Sequence, residues 1–501
     1  MAGVKAVVAA RPSSESGVSG GTREPEQAIH TSHLTPVAPR PVIRQPVPVE
    51  SRFRRLDGHA VQLTSGCSQQ EKRVKTLASE LSVAAGASDP AWLAERRAVA
   101  LDYYDKLPMP SPTEEVWRYV DLDFSMDDFL VPESPGDAGE LDDGIAAALP
   151  EIAGSLLVVD GQVVSTNPGS SGVTLASISS ALADRPDLLE PYLGAGIRPD
   201  VDKLAAAHAA FGRDGAALVV PRGVAVEQPF FVDVQAATSG GVSFPHLSVA
   251  VEESSQASVV VRYRSNDDVD ALVVPQLELS VGDNANLKLT VVQHWGRRTR
   301  AISHARALVG RDGSLHLGEA GLGGSISRLL LDVDLEGDGS TANIVGAFFG
   351  DGEQILDYRY TMHHAGVNTS SDMFLKGAVQ DNALSVFTGM IRIDEEAQKT
   401  NAFQTNRNLI LSDGASAQSV PNLEILANDV RCGHGSTMGP LDEEQHYYLM
   451  SRGLDDARAN RLLVHGFFNE ALSRFPEPAI AGVVTSWIAT KYRAAQEAGR
   501  V

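Results

Sequence analysis

The sequence predicts a mainly β protein, a solenoid or one of its all-β alternatives, with small helical modules at both ends. Three observations carry this. Between about residues 155 and 435 a dozen short segments rich in β-branched residues follow one another, many alternating apolar with polar. They are punctuated by Asp283-Asn284, Asp312-Gly313, Asp338-Gly339, Asp351-Gly352, Asp381-Asn382 and Asp413-Gly414, residues that accept a positive φ or form Asx-turns. On both flanks the apolar spacing switches to a helical period.

An immunoglobulin-like sandwich needs seven to nine strands in roughly 100 residues, and this region is nearly three times as long. Turn markers at 312, 338, 351, 381 and 413 lie 26, 13, 30 and 32 residues apart. That spacing is irregular but fits a coil built from rungs of two or three short strands. A β-helix is favoured, with stacked sandwiches as the alternative.

Taken in order, residues 1–70 form a Pro-, Ser- and Gly-rich leader without periodicity, expected to be disordered. Eight Lys and Arg against five Asp and Glu make it +3, which leaves about −25 of the total −22 on the rest of the chain. The next part, 71–154, is read as a helical module and connector. Leu77, Leu81, Trp92, Leu93 and Leu101 recur at near-helical spacing, broken at Asp89-Pro90 and ended by Leu107-Pro108. In PMPSPTEEVWRYVDLDF the prolines impose an extended path, and Trp117 with Tyr119 supply an aromatic anchor. Residues 155–436 are assigned to the β-helix, running from SLLVVDGQVVS to NLILS and on to the last strands. In 437–501 Asp442 is a plausible N-cap with Gln445 as capping-box partner, and Gly453 a natural C′ residue. A second helix starts near Asp455 or Asp456 with an apolar stripe of Leu462, Leu463, Phe467, Leu472 and Phe475. A third follows Pro476 and Pro478, and the module is expected to shield the solenoid's edge strands.

Composition narrows the function. Across 501 residues, 42 Lys and Arg against 64 Asp and Glu argue against a general nucleic-acid or anionic-membrane surface. Two cysteines, Cys67 and Cys432, exclude a disulfide framework and a self-contained four-cysteine zinc site, and a reducing, cytoplasmic setting is the simplest reading. A transit-peptide reading of the leader is a minor alternative. No GxxxxGK[ST] loop, HExxH or paired CxxC is present. GVSGG at Gly17–Gly21 matches GxSxG but lies in the leader, without the strand-to-helix turn of a nucleophile elbow.

The most suggestive constellation is Cys432-Gly433-His434, read as an exposed, flexible loop between the last strands and the end helices. A thiolate and an imidazole two residues apart are two metal ligands, too few for a stable site. Either another chain completes the site or the pair is structural. His294, His304, His316, His363 and His364 could cluster on adjacent rungs, but ligand spacing is absent.

Five motifs then converge: Lys376-Gly377-Ala378-Val379, QTNRNLIL at Gln404–Leu411, PNLEI at Pro421–Ile425, C-x-HG at Cys432–Gly435, and YL-x-SRG at Tyr448–Gly453. With LPMPSPTEEVWRYVDLDF they make residues 75–475 resemble the SufB/SufD family of iron–sulfur cluster assembly proteins of the SUF system. NRNLILSDGAS lacks the Cys usual in SufB-like chains, so the resemblance is to the SufD branch. The resemblance implies a right-handed parallel β-helix, a heterodimer with SufB through it, and docking of SufC, an ABC-type ATPase, on the C-terminal helices. It implies a non-catalytic scaffold on which transient iron and a nascent cluster are held, with no nucleotide bound by this chain; a flavin is left open. His434, and less directly Cys432, would be ligands at a site shared with the partner chain, and Tyr447, Tyr448, Arg452 and Phe467 would form the SufC-docking surface. A homodimeric scaffold is the alternative, and a carbohydrate-active β-helix enzyme is disfavoured by only four Trp.

Overall fold

The computed structural model describes residues 89–139, 144–149, 151–169 and 172–499. The leader, Cys67, Leu77 and Leu81 lie outside the described residues. The fold is a parallel β-solenoid flanked by helices, made of a 10-stranded and an 11-stranded sheet whose successive strands alternate along the chain. One sheet runs from Gly154–Val159 through Phe230–Ala236, Gln256–Ser265, Asn286–His294, Ser314–Gly321, Thr341–Gly350, Ser370–Val379 and Asn401–Ile410 to Arg431–Gly439. The other runs from Gly215–Val220 through His246–Val251, Gln276–Val281, Arg300–Val309, Ile326–Leu335, Ile355–His364 and Leu384–Ile393 to Ser416–Ile425. Antiparallel strands, Gln162–Asn167 and Thr174–Ser177, close the N-terminal end.

Alternation explains the packing. Because side chains point to opposite faces in turn, every second residue enters the lumen, where register stacks it on its equivalent one coil away. Leu287, Leu315, Ala342, Ser371, Ala402 and Cys432 form one such column; Leu289, Leu317, Ile344, Met373, Gln404 and His434 form the next. Most lumen residues are apolar and belong to one continuous core.

The turn markers belong to two different corners, which is why their spacing looks irregular in sequence. Ser254, Asn284, Asp312, Gly339, Asn368 and Lys399 all have positive φ and are separated by 27 to 31 positions. Each donates its backbone N–H to the next coil, to the carbonyls of Asp283, Arg311, Asp338, Val367, Gln398 and Asp429. Gly352, Asn382 and Gly414 mark the second corner, where the Asn382 N–H reaches the Gly352 carbonyl at 2.9 Å. Lys399, at φ 64, carries a Cβ in the left-handed region without the compensating side-chain hydrogen bonds of Asn or Asp. Lys399→Gly is expected to stabilise the chain by about 1 kcal/mol, read as a raised denaturation midpoint.

Not all of the region read as strand is strand. Within 155–435, short helical segments cover Ile178–Asp184 and Pro186–Leu189 and α2 spans Lys203–Phe211, whereas α1 (Ala91–Lys106), before the solenoid, lies in the part read as helical. The α2 sequence KLAAAHAAF is rich in Ala, and the Asp202 carboxylate accepts from the N–H groups of Leu204 and Ala205 as its N-cap. Its Leu204, Ala206, Ala207, Ala210 and Phe211 pack with α1 and with Val242, Phe244, Leu272 and Val274 of the solenoid. Trp117 anchors the connector as expected: the Arg328 guanidinium lies 3.8 Å from its ring centroid and donates to the Val116 carbonyl at 2.7 Å. Tyr119 is only partly buried.

At the C-terminus come α3 (Glu443–Ser451), α4 (Asp456–Leu472) and α5 (Pro478–Glu497). Asp442 and Asp455 cap as predicted, accepting from the N–H groups of Gln445 and Arg458, and Gly453 has φ +94. The buried stripe of α4 is Ala459, Val464, Phe468, Ala471 and Leu472; of the predicted stripe Leu472 and, just past the helix, Phe475 are buried, whereas Leu462 faces solvent. α4 and α5 pack on Val345, Ala347, Phe349, Phe374 and Ala378, on the outer face of one sheet. The Lys491 ammonium fixes α5 there through the carbonyls of Leu322 (2.6 Å) and Phe349 (3.0 Å) and the Asp351 carboxylate (2.9 Å). The helices thus cover a side of the solenoid, and among the described residues the edges of its last strands stay exposed, contrary to expectation.

Candidate functional site at the open end of the solenoid

Ser416–Ile425 and Arg431–Gly439 are the last strands of their sheets, and neither has a neighbour on its outer edge among the described residues. Unlike the strands before them they are largely half-buried or exposed. Cys432 and His434 lie in the second of these, in regular register with Ala402 and Gln404. They are therefore strand residues rather than loop residues. Gly433 and Gly435, which flank His434, and Gly439 fall on outward positions, where Gly433 leaves room for the Phe403 ring.

Both side chains point into the lumen mouth. The Cys432 thiol packs against the core beneath, and burial pushes its pKa up from the ordinary value of 9.0. His434 is half-buried, and its Nδ1 is enclosed without a hydrogen-bond partner. One coil below, the lumen changes character. Inward positions Met373 and Leu375 are followed in register by Gln404 and Asn406, with Asn408 next to them, at 2%, 3% and 5% exposure. Gln404 Nε2 donates to the Asn422 carbonyl at 3.2 Å and Asn406 Nδ2 to Ser419 Oγ at 2.9 Å. Gly377 and Gly389 make the space: a Cβ on them would lie 2.2 Å from Asn408 Oδ1 and 2.0 Å from Gln404 Oε1. Three successive inward amides are only partly bonded, Gln404 Oε1 and Asn408 Nδ2 having no hydrogen-bond partner among the described residues, so this lumen end is polar at a cost in free energy.

Residue type alone does not single out these three amides, which lie within the QTNRNLIL motif. The available signal was a strand with polar residues at i, i+2 and i+4 following a rung whose inward positions are Met373 and Leu375.

The remaining histidines do not share a site. His294 stacks on Trp487 at 4.3 Å, His304 Nε2 meets the Asp202 carboxylate at 3.0 Å, and His316 Nε2 donates to the Arg474 carbonyl at 3.0 Å. His364 bonds Thr369 and Ser371 within the lumen, while His363 lies outside between Asp334 and Asp394. Among the described residues no three His, Cys, Asp or Glu side chains could together hold a metal ion. A cavity of about 480 Å³ between α1 and α2 exposes His208 and His246, but their ring nitrogens are taken by the Val274 carbonyl, each other and Glu278. That relay is structural.

α3 buries none of its residues. Tyr447, 75% exposed, lies beside exposed Tyr448, over whose ring the Arg452 guanidinium stands at 5.1 Å. Phe467 is separate from them: it is half-buried under the Lys376 ammonium, 4.4 Å from its ring centroid, where Lys376 Nζ also reaches Glu470 at 2.5 Å.

Comparison with known proteins places the chain in a family. Residues 233–467 match the family model described as the SUF system FeS cluster assembly SufBD core domain, and residues 69–232 the SufBD protein N-terminal region. An iron-sulfur cluster assembly SufBD family protein of Mycobacterium tuberculosis is 33% identical over 328 residues, 64% of this chain and 81% of the relative. The iron-sulfur cluster assembly protein SufD of Bacillus subtilis is 30% identical over 421 residues, 81% of this chain and 95% of the relative. A chloroplastic protein of Arabidopsis thaliana is 28% identical over 274 residues, 52% of this chain and 57% of the relative. No helix among the described residues is long and apolar enough to cross a membrane.

Proposed function

Because this chain belongs to the SufBD family of SUF-system iron–sulfur cluster assembly proteins, we propose that it is the non-catalytic SufD-type subunit of a SufB–SufC–SufD scaffold. The observation that carries this is the open end: two unpaired edge strands around a polar lumen mouth that presents His434 and Cys432. An uncovered edge of that length is a template for pairing with another chain, and a SufB of the same fold offers the matching edge. Two borderline-to-soft ligands need completion from outside, which suits iron and a nascent cluster as transient cargo at a shared interface. Of the two, His434 is the better ligand, since burial keeps the Cys432 thiol protonated.

The exposed aromatic face of α3, with Tyr447, Tyr448 and Arg452, is the docking surface for SufC. The nucleotide belongs to that ATPase, and the work is cytoplasmic.

The test is purification of the three proteins together. His434→Ala is expected to leave the assembly intact while lowering cluster formation; wild-type cluster yield would sink the ligand role. Since α3 contributes nothing to the core, Tyr447→Asp with Tyr448→Asp should abolish SufC capture without shifting the melting midpoint. Undiminished capture would remove α3 from the docking surface.

A further inference from the structure

We propose that His363 is a pH-sensitive clip that fastens the last coil of the solenoid, and that loss of its proton frees the strand carrying Cys432 and His434. The ring stands on the outer face near the end of Ile355–His364, with a carboxylate at each nitrogen: Nδ1 is 2.9 Å from Asp334 Oδ1 and Nε2 is 2.8 Å from Asp394 Oδ2. A carboxylate only accepts, so both contacts are hydrogen bonds when both nitrogens carry hydrogen. A neutral ring turns a lone pair toward one of the two carboxylates and converts that contact from attraction to repulsion.

The groups facing the ring from the neighbouring elements are few. Arg306 Nε donates to Asp334 at 2.8 Å, Arg392 Nε donates to Asp394 at 3.2 Å, and Arg392 is also the register neighbour of His363 in the next coil. Asp332 shares the strand of Asp334, and His364 faces the lumen on the opposite side. Burial alone would lower the His363 pKa, but the hydrogen bonds to Asp334 and Asp394 outweigh it and raise it above the ordinary 6.5. The charged clip is therefore complete below 6.5 and is lost as pH rises through the raised value.

What it fastens follows from the backbone. Asp394 opens the corner 394–400, and that corner holds the final one. Lys399 N–H donates to the Asp429 carbonyl at 2.6 Å, Asp429 N–H to Gln398 Oε1 at 2.9 Å, and Arg431 N–H to the Thr400 carbonyl at 2.8 Å. Arg431 is the first residue of the terminal strand. Beyond it that strand pairs in register with Asn401–Leu409 on one edge and with no strand on the other among the described residues, so the corner is where its first turn is tied down. The bearing on partner pairing rests on the scaffold reading above; the clip itself does not.

Amide hydrogen exchange of the isolated full-length chain tests it without partner or metal. After correction for intrinsic rates, protection of segments 394–400 and 426–436 should fall about tenfold between about pH 6 and about pH 8.5, while the lumen strands of the middle coils stay unchanged. His363→Gln should give the low value at both pH values, and His363→Arg, permanently charged, should remove the fall by keeping protection high at both. A wild-type chain with no step, or a step that survives in His363→Gln, overturns the proposal. Wild-type cluster formation by His434→Ala would leave it standing and count only against the scaffold site.

Discussion

Asp233→Ala should be among the most destabilising single substitutions in this chain, lowering stability by about 3–5 kcal/mol, the cost of breaking a buried ion pair from one side. Asp233 is the anion between two guanidiniums that are themselves nine-tenths buried. Arg262 donates to it from Nε at 2.9 Å and Nη2 at 2.6 Å, and Arg264 from Nη2 at 3.0 Å and Nε at 3.2 Å. Removing the carboxylate leaves two like charges on one strand, two residues apart on the same face, in a region of low dielectric. Arg264 also donates to the Gly139 carbonyl at 3.2 Å, so the connector before the solenoid should loosen with it. Burial on its own would raise the Asp233 pKa, but the hydrogen bonds from Arg262 and Arg264 prevail and hold it below the ordinary 3.8. Its stabilisation is thus present above 3.8 and is lost as pH falls through the lower folded value. Chemical denaturation of Asp233→Ala at neutral pH, with proteolysis across 130–139, checks both effects. Replacing all three residues, Asp233→Leu with Arg262→Met and Arg264→Leu, should recover most of the loss, because no charge then remains to be desolvated. An Asp233→Ala midpoint equal to wild type would mean that water reaches the guanidiniums.

Much of this architecture is legible in the sequence because it depends on short-range rules. Alternation gave the strands, and the helix starts at Asp442 and Asp455 are local capping chemistry that needs no tertiary context. What failed were inferences that depend on which coil a residue joins. The markers at 312, 338, 351, 381 and 413 look irregular until the chain is wound, when they sort onto two corners. The segment around α2 is Ala-rich but flanked by strand-forming sequence that masks it, although Asp202 is a cap of the ordinary kind. In RCGHGSTMG glycines read as flexibility, yet they occupy the outward positions of an edge strand, where a missing side chain costs little. The offset between Phe467 and Phe468 is one residue, which a helical stripe read from composition does not resolve: Phe468 meets Phe349 in the core, and Phe467 meets Lys376. The site divides the same way. His434 and Cys432 stand out by residue type, whereas Gln404, Asn406 and Asn408 gain meaning only from being inward, stacked and at the end.

Glu319→Gln should stabilise the protein by about 3 kcal/mol above pH 7 and abolish a pH dependence that the wild type shows between 4.5 and 7. Glu319 is an inward residue of Ser314–Gly321, set in the lumen between Val291 and Gly346 in register, with no cation bonded to it among the described residues. Its polar contact is the Tyr360 hydroxyl, which donates to Oε2. Burial pushes the carboxyl up to about 7 from the ordinary 4.5, against the smaller opposing effect of that hydrogen bond. The folded chain therefore holds a proton that the unfolded chain has already released once pH exceeds 4.5. Stability is complete below 4.5, declines as pH rises from 4.5 to 7, and stays at the lower level above. A Gln in this position keeps an oxygen for the Tyr360 hydroxyl and has no proton to lose, so the decline disappears and the gain grows with pH until about 7. Denaturation midpoints of both chains at pH values across that window measure it. Parallel curves, with no gain for Glu319→Gln at alkaline pH, would show the carboxylate to be solvated inside the solenoid. That outcome would extend the polar lumen from its open end, at Gln404 and His434, three coils inward to Glu319, across the apolar rungs at Met373 and Ile344 that separate them here.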